Sequence, residues 1–382
     1  MHDRPTPTIA EVRTTTVLNS HSVWTADCEV ILSDGRRGRG TAPRGETPSL
    51  HERDSLTGSA RAVATESDLC GLPAIQRDVD QIIAGHAETW GRDRAYAMSV
   101  ALFEALLTPP AELEGRGPGI LFNLLNGGLH AYTNPIRADI TEVLLVPRGP
   151  DLREAIDAYR RLLGATQAAL ADAPTTMVNG NRVHDLGDDG DDAALAFCTR
   201  LLADAGLDET FTLMVDASAG DWWVGDEYRL PVADRRLRSD QLVERWLDLM
   251  ERHNLHLLED PMAESDLHGW SELHRSRPED RVLLSDNFTS TRVDELRAKH
   301  QLVDGVLIKP DQNGTVSGAM EFAAQARQLN LTRIASHRSI ETDSPFLIHL
   351  AIECGVDWVK IGPYSDFSSI LRTNALLRAM HR

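Results

Sequence analysis

Lysine is nearly missing from this 382-residue chain: Lys299, Lys309 and Lys360 are the only three, and every other fixed positive charge is arginine. Arginine keeps its proton near neutrality, so chemistry that needs a titratable amine has three positions to draw on. Cysteine is also scarce. Cys28, Cys70, Cys198 and Cys354 are scattered, with no spacing that suits a zinc cluster or a redox pair. Unpaired thiols favour a reducing compartment, with the cytoplasm as the default. No apolar run is long enough to cross a membrane. The first 17 residues alternate polar and apolar side chains and lack the basic start and apolar stretch of an export signal. Positive charge is in deficit overall. A formal net charge of −19 argues against a general binder of nucleic-acid phosphates and is accounted for by solubility, although a local basic pocket could still hold a small anion. There is no Gly-X-Gly-X-X-Gly after a first strand and no Gly-Lys-Ser/Thr loop, which counts against a nucleotide fold.

What is present divides into two parts. Residues 1–118 open with strand-like segments at 9–18 and 25–33, and Asp34-Gly35 predicts a tight hairpin into 39–41. Helical periodicity follows around 60–84 and 93–107. A Gly/Pro-rich stretch at 115–119 reads as a linker. This is a small α+β domain. In residues 119–382, short apolar runs at 143–146, 212–215, 256–258, 282–284, 305–308, 333–335 and 357–359 alternate with amphipathic stretches. Such alternation predicts parallel strands with crossover helices, an α/β architecture. The length suits a closed (β/α)8 barrel, with a doubly wound open sheet as the alternative.

The ends of these runs are ionisable. Asp216, Glu259, Asp286, Lys309, His337 and Lys360 follow six successive runs. In a barrel the C-terminal ends of the strands form the active-site face. Three carboxylates there repel one another unless a cation joins them, and hard oxygen donors suit Mg²⁺. A structural ion pair with the lysines is the alternative. An amine beside a divalent ion and a second amine is expected to have a lowered pKa and to serve as a base.

Several segments resemble the enolase family. Ser336-His337-Arg338-Ser339, then Glu341-Thr342, looks like Ser-His-Arg-Ser-Gly-Glu-Thr with Ile340 in place of glycine. Leu258-Glu259-Asp260-Pro261, Lys309-Pro310-Asp311-Gln312, Val359-Lys360-Ile361-Gly362 and Asn126-Gly127-Gly128-Leu129-His130-Ala131 resemble further segments of that family. The resemblance implies an N-terminal α+β capping domain and an enolase-type (β/α)8 barrel, in a homodimer. It implies that Asp216, Glu259 and Asp286 hold one Mg²⁺ firmly, and that a second arrives with substrate under a loop carrying Thr47. It makes Lys309 the base and Lys360 the carboxylate-binding amine. Arg338 and Ser339 would grip a phosphate, His337 would contact a substrate oxygen, Glu142 would help position the leaving group or its water, and His130 would lie on a mobile loop.

The departures narrow the function. Aligned without gaps from Val178 to Leu195, Asn181 stands where the family carries its general acid, and an amide cannot deliver a proton. The segment His21-Ser22-Val23-Trp24-Thr25 replaces Arg-Gly-Asn-Pro-Thr. Proton abstraction and phosphate binding are kept while the acid and the closing loop are rewritten. The expectation is a lyase or transferase acting on a small phosphate- or phosphonate-bearing carboxylic acid, as enolase-like enzymes such as carboxyphosphonoenolpyruvate synthase do in phosphonate pathways. Dehydration of 2-phosphoglycerate is the second reading. A non-catalytic binding or structural relative is the third, and the retained acids and Lys309 count against it.

Overall fold

The computed structural model describes residues 6–45, 66–107, 117–127, 133–178 and 180–380. Thr47 and His130 lie outside these residues, as does the first part of the helix expected around 60–84.

The N-terminal part is a three-stranded antiparallel sheet, β1 (Ile9–Leu18), β2 (Trp24–Leu32) and β3 (Arg37–Thr41), in that order. Helices α1 (Gln76–Trp90) and α2 (Arg92–Leu106) follow it in the chain. The sequence of β3 explains its close packing on α2. A Cβ at Gly38 would lie 2.1 Å from the carbonyl oxygen of Ala101, and one at Gly40 would lie 2.1 Å from that of Ala97. Only glycine on the inner face lets strand and helix backbones approach this closely.

The second part is a closed barrel of eight strands. In chain order these are β4 (Gly119–Asn126), β5 (Glu142–Pro147), β8 (Phe211–Asp216), β12 (Leu255–Glu259), β13 (Val282–Ser285), β14 (Gly305–Ile308), β15 (Thr332–Ser336) and β16 (Trp358–Lys360). Helices α3 (Leu152–Ala171) and α4 (Gly190–Asp204) separate β5 from β8, flanking a small hairpin of β6 (Thr175–Val178) and β7 (Asn181–His184). A three-stranded excursion, β9 (Trp223–Val224), β10 (Glu227–Leu230) and β11 (Arg235–Leu237), follows β8. Leu121, Leu144, Met214, Leu257, Leu284, Leu307 and Ile334 fill the barrel interior as one apolar layer. Strands buried on both faces read as unbroken apolar runs, which is why the sequence marks seven of them so clearly.

Two expectations need correction. The eighth strand is β4, which begins at Gly119 in the stretch read as linker. Gly119 is required there, because a Cβ would lie 2.3 Å from the Trp358 ring. Nor is the barrel wholly parallel: β5 runs antiparallel to both β4 and β8. The connection from β4 to β5 folds back on itself, with Gly127 N donating to Thr141 O at 3.0 Å, and no crossover helix is seen among its described residues. A parallel return needs such a crossover.

The N-terminal part is fastened to the barrel by polar contacts. Arg44 and Ile340 exchange backbone hydrogen bonds at 2.8 and 2.9 Å, and Thr41 meets Thr342 hydroxyl to hydroxyl at 2.6 Å. Val316 N donates to Ser99 Oγ at 2.9 Å, and Ser317 N to Asp80 Oδ2 at 2.8 Å. These bonds join the helices, the third strand and the following loop of the smaller part to the barrel.

Candidate active site

One rim of the barrel holds a cavity of about 250 Å³. That volume suits a small acid. Its wall includes Glu142, Asp216, Asp286, Lys309, His337, Arg338, Ser339 and Lys360, and Glu259 lies buried beneath. Asp216, Glu259 and Lys360 end their strands, and Asp286, Lys309 and His337 follow theirs directly. Glu142 arrives by another route. It opens its strand, and the antiparallel direction of β5 sets it beside Asp216 and Asn126 in register.

Lys360 is the hub. Its ammonium lies 2.8 Å from Asp216 Oδ2, from Glu259 Oε2 and from Glu142 Oε2. Lys360 is 3% exposed and Glu259 fully buried, so this group stands in a low dielectric where each charge depends on its partners. Burial alone would lower the Lys360 amine, but Asp216, Glu142 and Glu259 together hold it well above its usual value. Burial and then the Asp216 charge push the Glu259 carboxyl well up. Burial pushes Asp216 the same way, but Lys360, Glu259 and Lys309 together outweigh it and the group stays below the usual carboxylate range.

Lys309 forms the second pair, an ion pair with Asp286 Oδ2. Its backbone N–H donates to Thr291 Oγ1 at 2.9 Å, which fixes the strand end. The lowering expected of the base amine belongs to a cluster that holds a divalent ion; among the protein's own groups alone the direction is the opposite. Burial and Arg338 press the Lys309 amine down, yet Asp286 and the other carboxylates hold it above its usual value. Attraction to unneutralised carboxylates outweighs repulsion from Lys360 and Arg338.

Asp260 explains how the acids are aimed. It is buried and sits at φ +41°, and its two carboxylate oxygens accept from Asp286 N at 2.9 Å and Asn287 N at 2.8 Å. The strand end carrying Glu259 thereby orients the one carrying Asp286.

At the other wall, Arg338 pairs with Asp311 Oδ2 at 3.0 Å, and its backbone N–H donates to Glu341 Oε1 at 2.7 Å. Glu341 also pairs with the fully buried Arg372. The Arg338 backbone is thus fixed through Glu341, while Asp311 holds its guanidinium. His337 Nδ1 lies 2.8 Å from Arg338 O. A carbonyl only accepts, so Nδ1 carries the proton and Nε2 is left as an acceptor. Burial and then Arg372 hold this imidazole well below its usual pKa, and it is neutral at pH 7.

Among the described residues, no three His, Cys, Asp or Glu side chains stand ready as a metal cage. The donor set nevertheless fits a hard cation. Glu259 Oε1 and Asp286 Oδ1 are buried with no hydrogen-bond partner, and each points an unsatisfied oxygen into the acidic cluster.

Asn181 is displaced from its expected place. It is exposed, starting the outer strand of the β6–β7 hairpin, and does not line the cavity. Sequence reasoning gives no site role to Ser20, His21, Asn126, Ser218, Ser336 and Ser365, which do. Asn126 and Ser336 lie inside recognisable motifs. His21 opens the segment at 21–25 that departs from the family pattern, and nothing local marks Ser20.

The closed barrel thus gathers an acidic cluster, two amines and a guanidinium on one rim. The chain belongs to the enolase family: the family model for the enolase C-terminal TIM barrel domain matches residues 117–381. A protein named enolase from Natranaerobius thermophilus is 29% identical over 269 residues, covering 67% of this chain and 61% of that relative. The aligned region therefore spans less than two thirds of the relative's length. No described helix is long and apolar enough to cross a membrane.

Proposed function

We propose that this chain is a Mg²⁺-dependent lyase or related transferase that removes the proton next to the carboxylate of a small phosphate- or phosphonate-bearing acid. The product would be of enolpyruvyl type, in specialised phosphonate metabolism of the carboxyphosphonoenolpyruvate synthase kind. The observation that carries the reading is the single rim on which Lys309 and Lys360 face Asp216, Glu259 and Asp286, with Arg338 braced at the other wall.

Asp216, Glu259 and Asp286 would hold the firmly bound Mg²⁺, with Thr47 contributing to a second. The ions would supply positive charge against the charge that builds on the substrate carboxylate as the α-proton leaves. Lys309 takes that proton, and it does so only as a free amine, after it parts from Asp286. Lys360 holds the carboxylate. Arg338 offers two parallel donors to a tetrahedral oxyanion, and Ser339 adds a hydroxyl. His337 Nε2 accepts from a substrate hydroxyl, and Glu142, with His130 from its loop, serves the leaving group. A homodimer is part of the same reading, and light scattering of the purified protein decides it.

The test is α-proton exchange followed by proton NMR in deuterated water with Mg²⁺, over a panel of phosphonate- and phosphate-bearing carboxylic acids. Exchange is expected on a member of the panel carrying both groups. No exchange on any of them would favour a binding role instead. Dehydration of 2-phosphoglycerate is the second reading, favoured by the name of the relative from Natranaerobius thermophilus.

A further inference from the structure

We infer that His21 is a specificity-determining residue of this cavity, selecting a tetrahedral oxyanion over a planar carboxylate at the Arg338 end. The inference rests on the reading of that end as an anion site. His21 lies in the turn between β1 and β2 and lines the cavity together with Arg338 and Ser339.

The turn is built to hold this residue in place. Asn19, itself 9% exposed, accepts through Oδ1 from both His21 N and Val23 N at 3.0 Å. Asn19 N donates to Val23 O at 2.9 Å, Ser22 N donates to Asn19 O at 3.0 Å, and Ser22 takes φ +58°. An asparagine side chain closing a short loop fixes its backbone.

The same turn is spliced to the segment that carries Arg338. Ser20 N donates to Glu341 O at 2.8 Å, and Glu341 N donates back to Ser20 Oγ at 3.0 Å. Glu341 Oε1 in turn accepts from Arg338 N at 2.7 Å. His21 is therefore one residue from a two-bond junction, and that junction leads through Glu341 to Arg338. The N-terminal part and the barrel are locked together at the point where both reach into the cavity.

Oxygen count decides what this arrangement can recognise. A guanidinium fork occupies two oxygens of its ligand. A carboxylate has two, and is then complete. A phosphonate or phosphate group has a third, which needs a donor of its own. An imidazole lining the same cavity supplies one.

The experiment compares two probes, phosphonoacetate and malonate, by calorimetry with saturating Mg²⁺ on the full chain. For His21→Ala and His21→Leu, which both remove the donor, the expected result is a loss on the order of tenfold in phosphonoacetate affinity with malonate within about twofold. Equal losses on both probes, or no loss on phosphonoacetate, overturn the inference. Arg338→Lys runs alongside. If it weakens phosphonoacetate while the His21 variants do not, only the role of His21 falls. If neither substitution matters, the anion site itself is wrongly placed. Mg²⁺-induced protection against heat, measured on each variant, shows that the fold and the acidic cluster are intact.

Discussion

Glu142 and Asp216 face each other in register across neighbouring strands, although Glu142 opens its strand and Asp216 closes its own. The reversal of β5 alone makes this possible. A parallel β5 would have sent Glu142 to the opposite end of the barrel. Reversed, it becomes the third carboxylate on Lys360, and the amine is charge-compensated from three strands. The antiparallel strand therefore belongs to the site as much as to the fold.

Replacement of Lys309 by alanine should abolish α-proton exchange while the protein keeps its fold. The residue sits at a strand end on the cavity wall, not in the apolar layer below. General-base catalysis contributes about 10²–10⁴ in rate, and a loss of that size is expected by NMR. Exchange persisting near the wild-type rate would remove Lys309 from the role of base.

Lys360→Met tests the hub through stability. The substitution leaves Asp216, Glu259 and Glu142 facing one another without their common cation. Breaking a buried ion cluster by removing one partner typically costs about 3–5 kcal/mol. Mg²⁺ should then raise the melting temperature of the variant more than that of the wild type, because it supplies the charge the amine no longer does. Identical Mg²⁺ effects on the two proteins would mean that the carboxylates do not share a cation.

Much of this site is legible in the sequence because barrel strands are short, apolar and buried on both faces, so that an ionisable residue at the end of a run stands out. Asp216, Glu259, Asp286, Lys309, His337 and Lys360 are all marked in that way. Legibility ends where the chain departs from the repeating unit. The start of β4 is hidden by Gly119, a glycine demanded by the Trp358 ring rather than by a linker. The direction of β5 depends on how its connection folds, which periodicity does not encode. Counting residues puts Asn181 at the place of an acid, and the β6–β7 hairpin carries it out to solvent. The raised amine of Lys309 follows from tertiary proximity to Asp286, which no spacing rule supplies.

Asp139 gives a pH dependence that is independent of the catalytic cluster. It is buried, and it accepts from Val232 N at 2.8 Å and Ala233 N at 2.9 Å, tying the approach to β5 to the excursion after β8. Burial and then the neighbouring Asp191 raise its carboxyl to about 6. The unfolded value is about 3.9, so the native state binds this proton more tightly. The charged form opposes folding above about pH 6, and that cost fades as the pH falls toward 4. A rise of this size corresponds to about 3 kcal/mol at most. Asp139→Asn should remove this component, so that urea-derived stability gains less on acidification than in the wild type. Parallel curves for the two proteins would show that Asp139 titrates normally.

Arg338→Lys should weaken binding of the phosphonate- or phosphate-bearing substrate by an order of magnitude or more. The guanidinium is held by Asp311 and the Arg338 backbone by Glu341, and an ammonium offers a point charge in place of a planar fork. The effect should appear chiefly in KM. An unchanged KM would mean that no tetrahedral oxyanion sits at Arg338.

Turnover of 2-phosphoglycerate should be slow, and Asn181→Glu should not restore it. A carboxyl introduced at Asn181 would stand on an exposed hairpin, outside the cavity that Lys309 and Arg338 line. Proton delivery needs a donor within hydrogen-bond reach of the leaving group or one water away. Glu142 lines the cavity, and it is already paired with Lys360. Loss of a general acid costs about 10²–10⁴ in rate, so elimination should lag well behind α-proton exchange on the true substrate. Both rates are read in one experiment, with exchange followed by NMR and enolpyruvyl product by its ultraviolet absorbance. If the wild-type protein dehydrated 2-phosphoglycerate as fast as it exchanged the α-proton, the phosphonate reading would give way to the glycolytic one. If Asn181→Glu accelerated dehydration tenfold, the hairpin must fold over the cavity during catalysis and bring residue 181 with it.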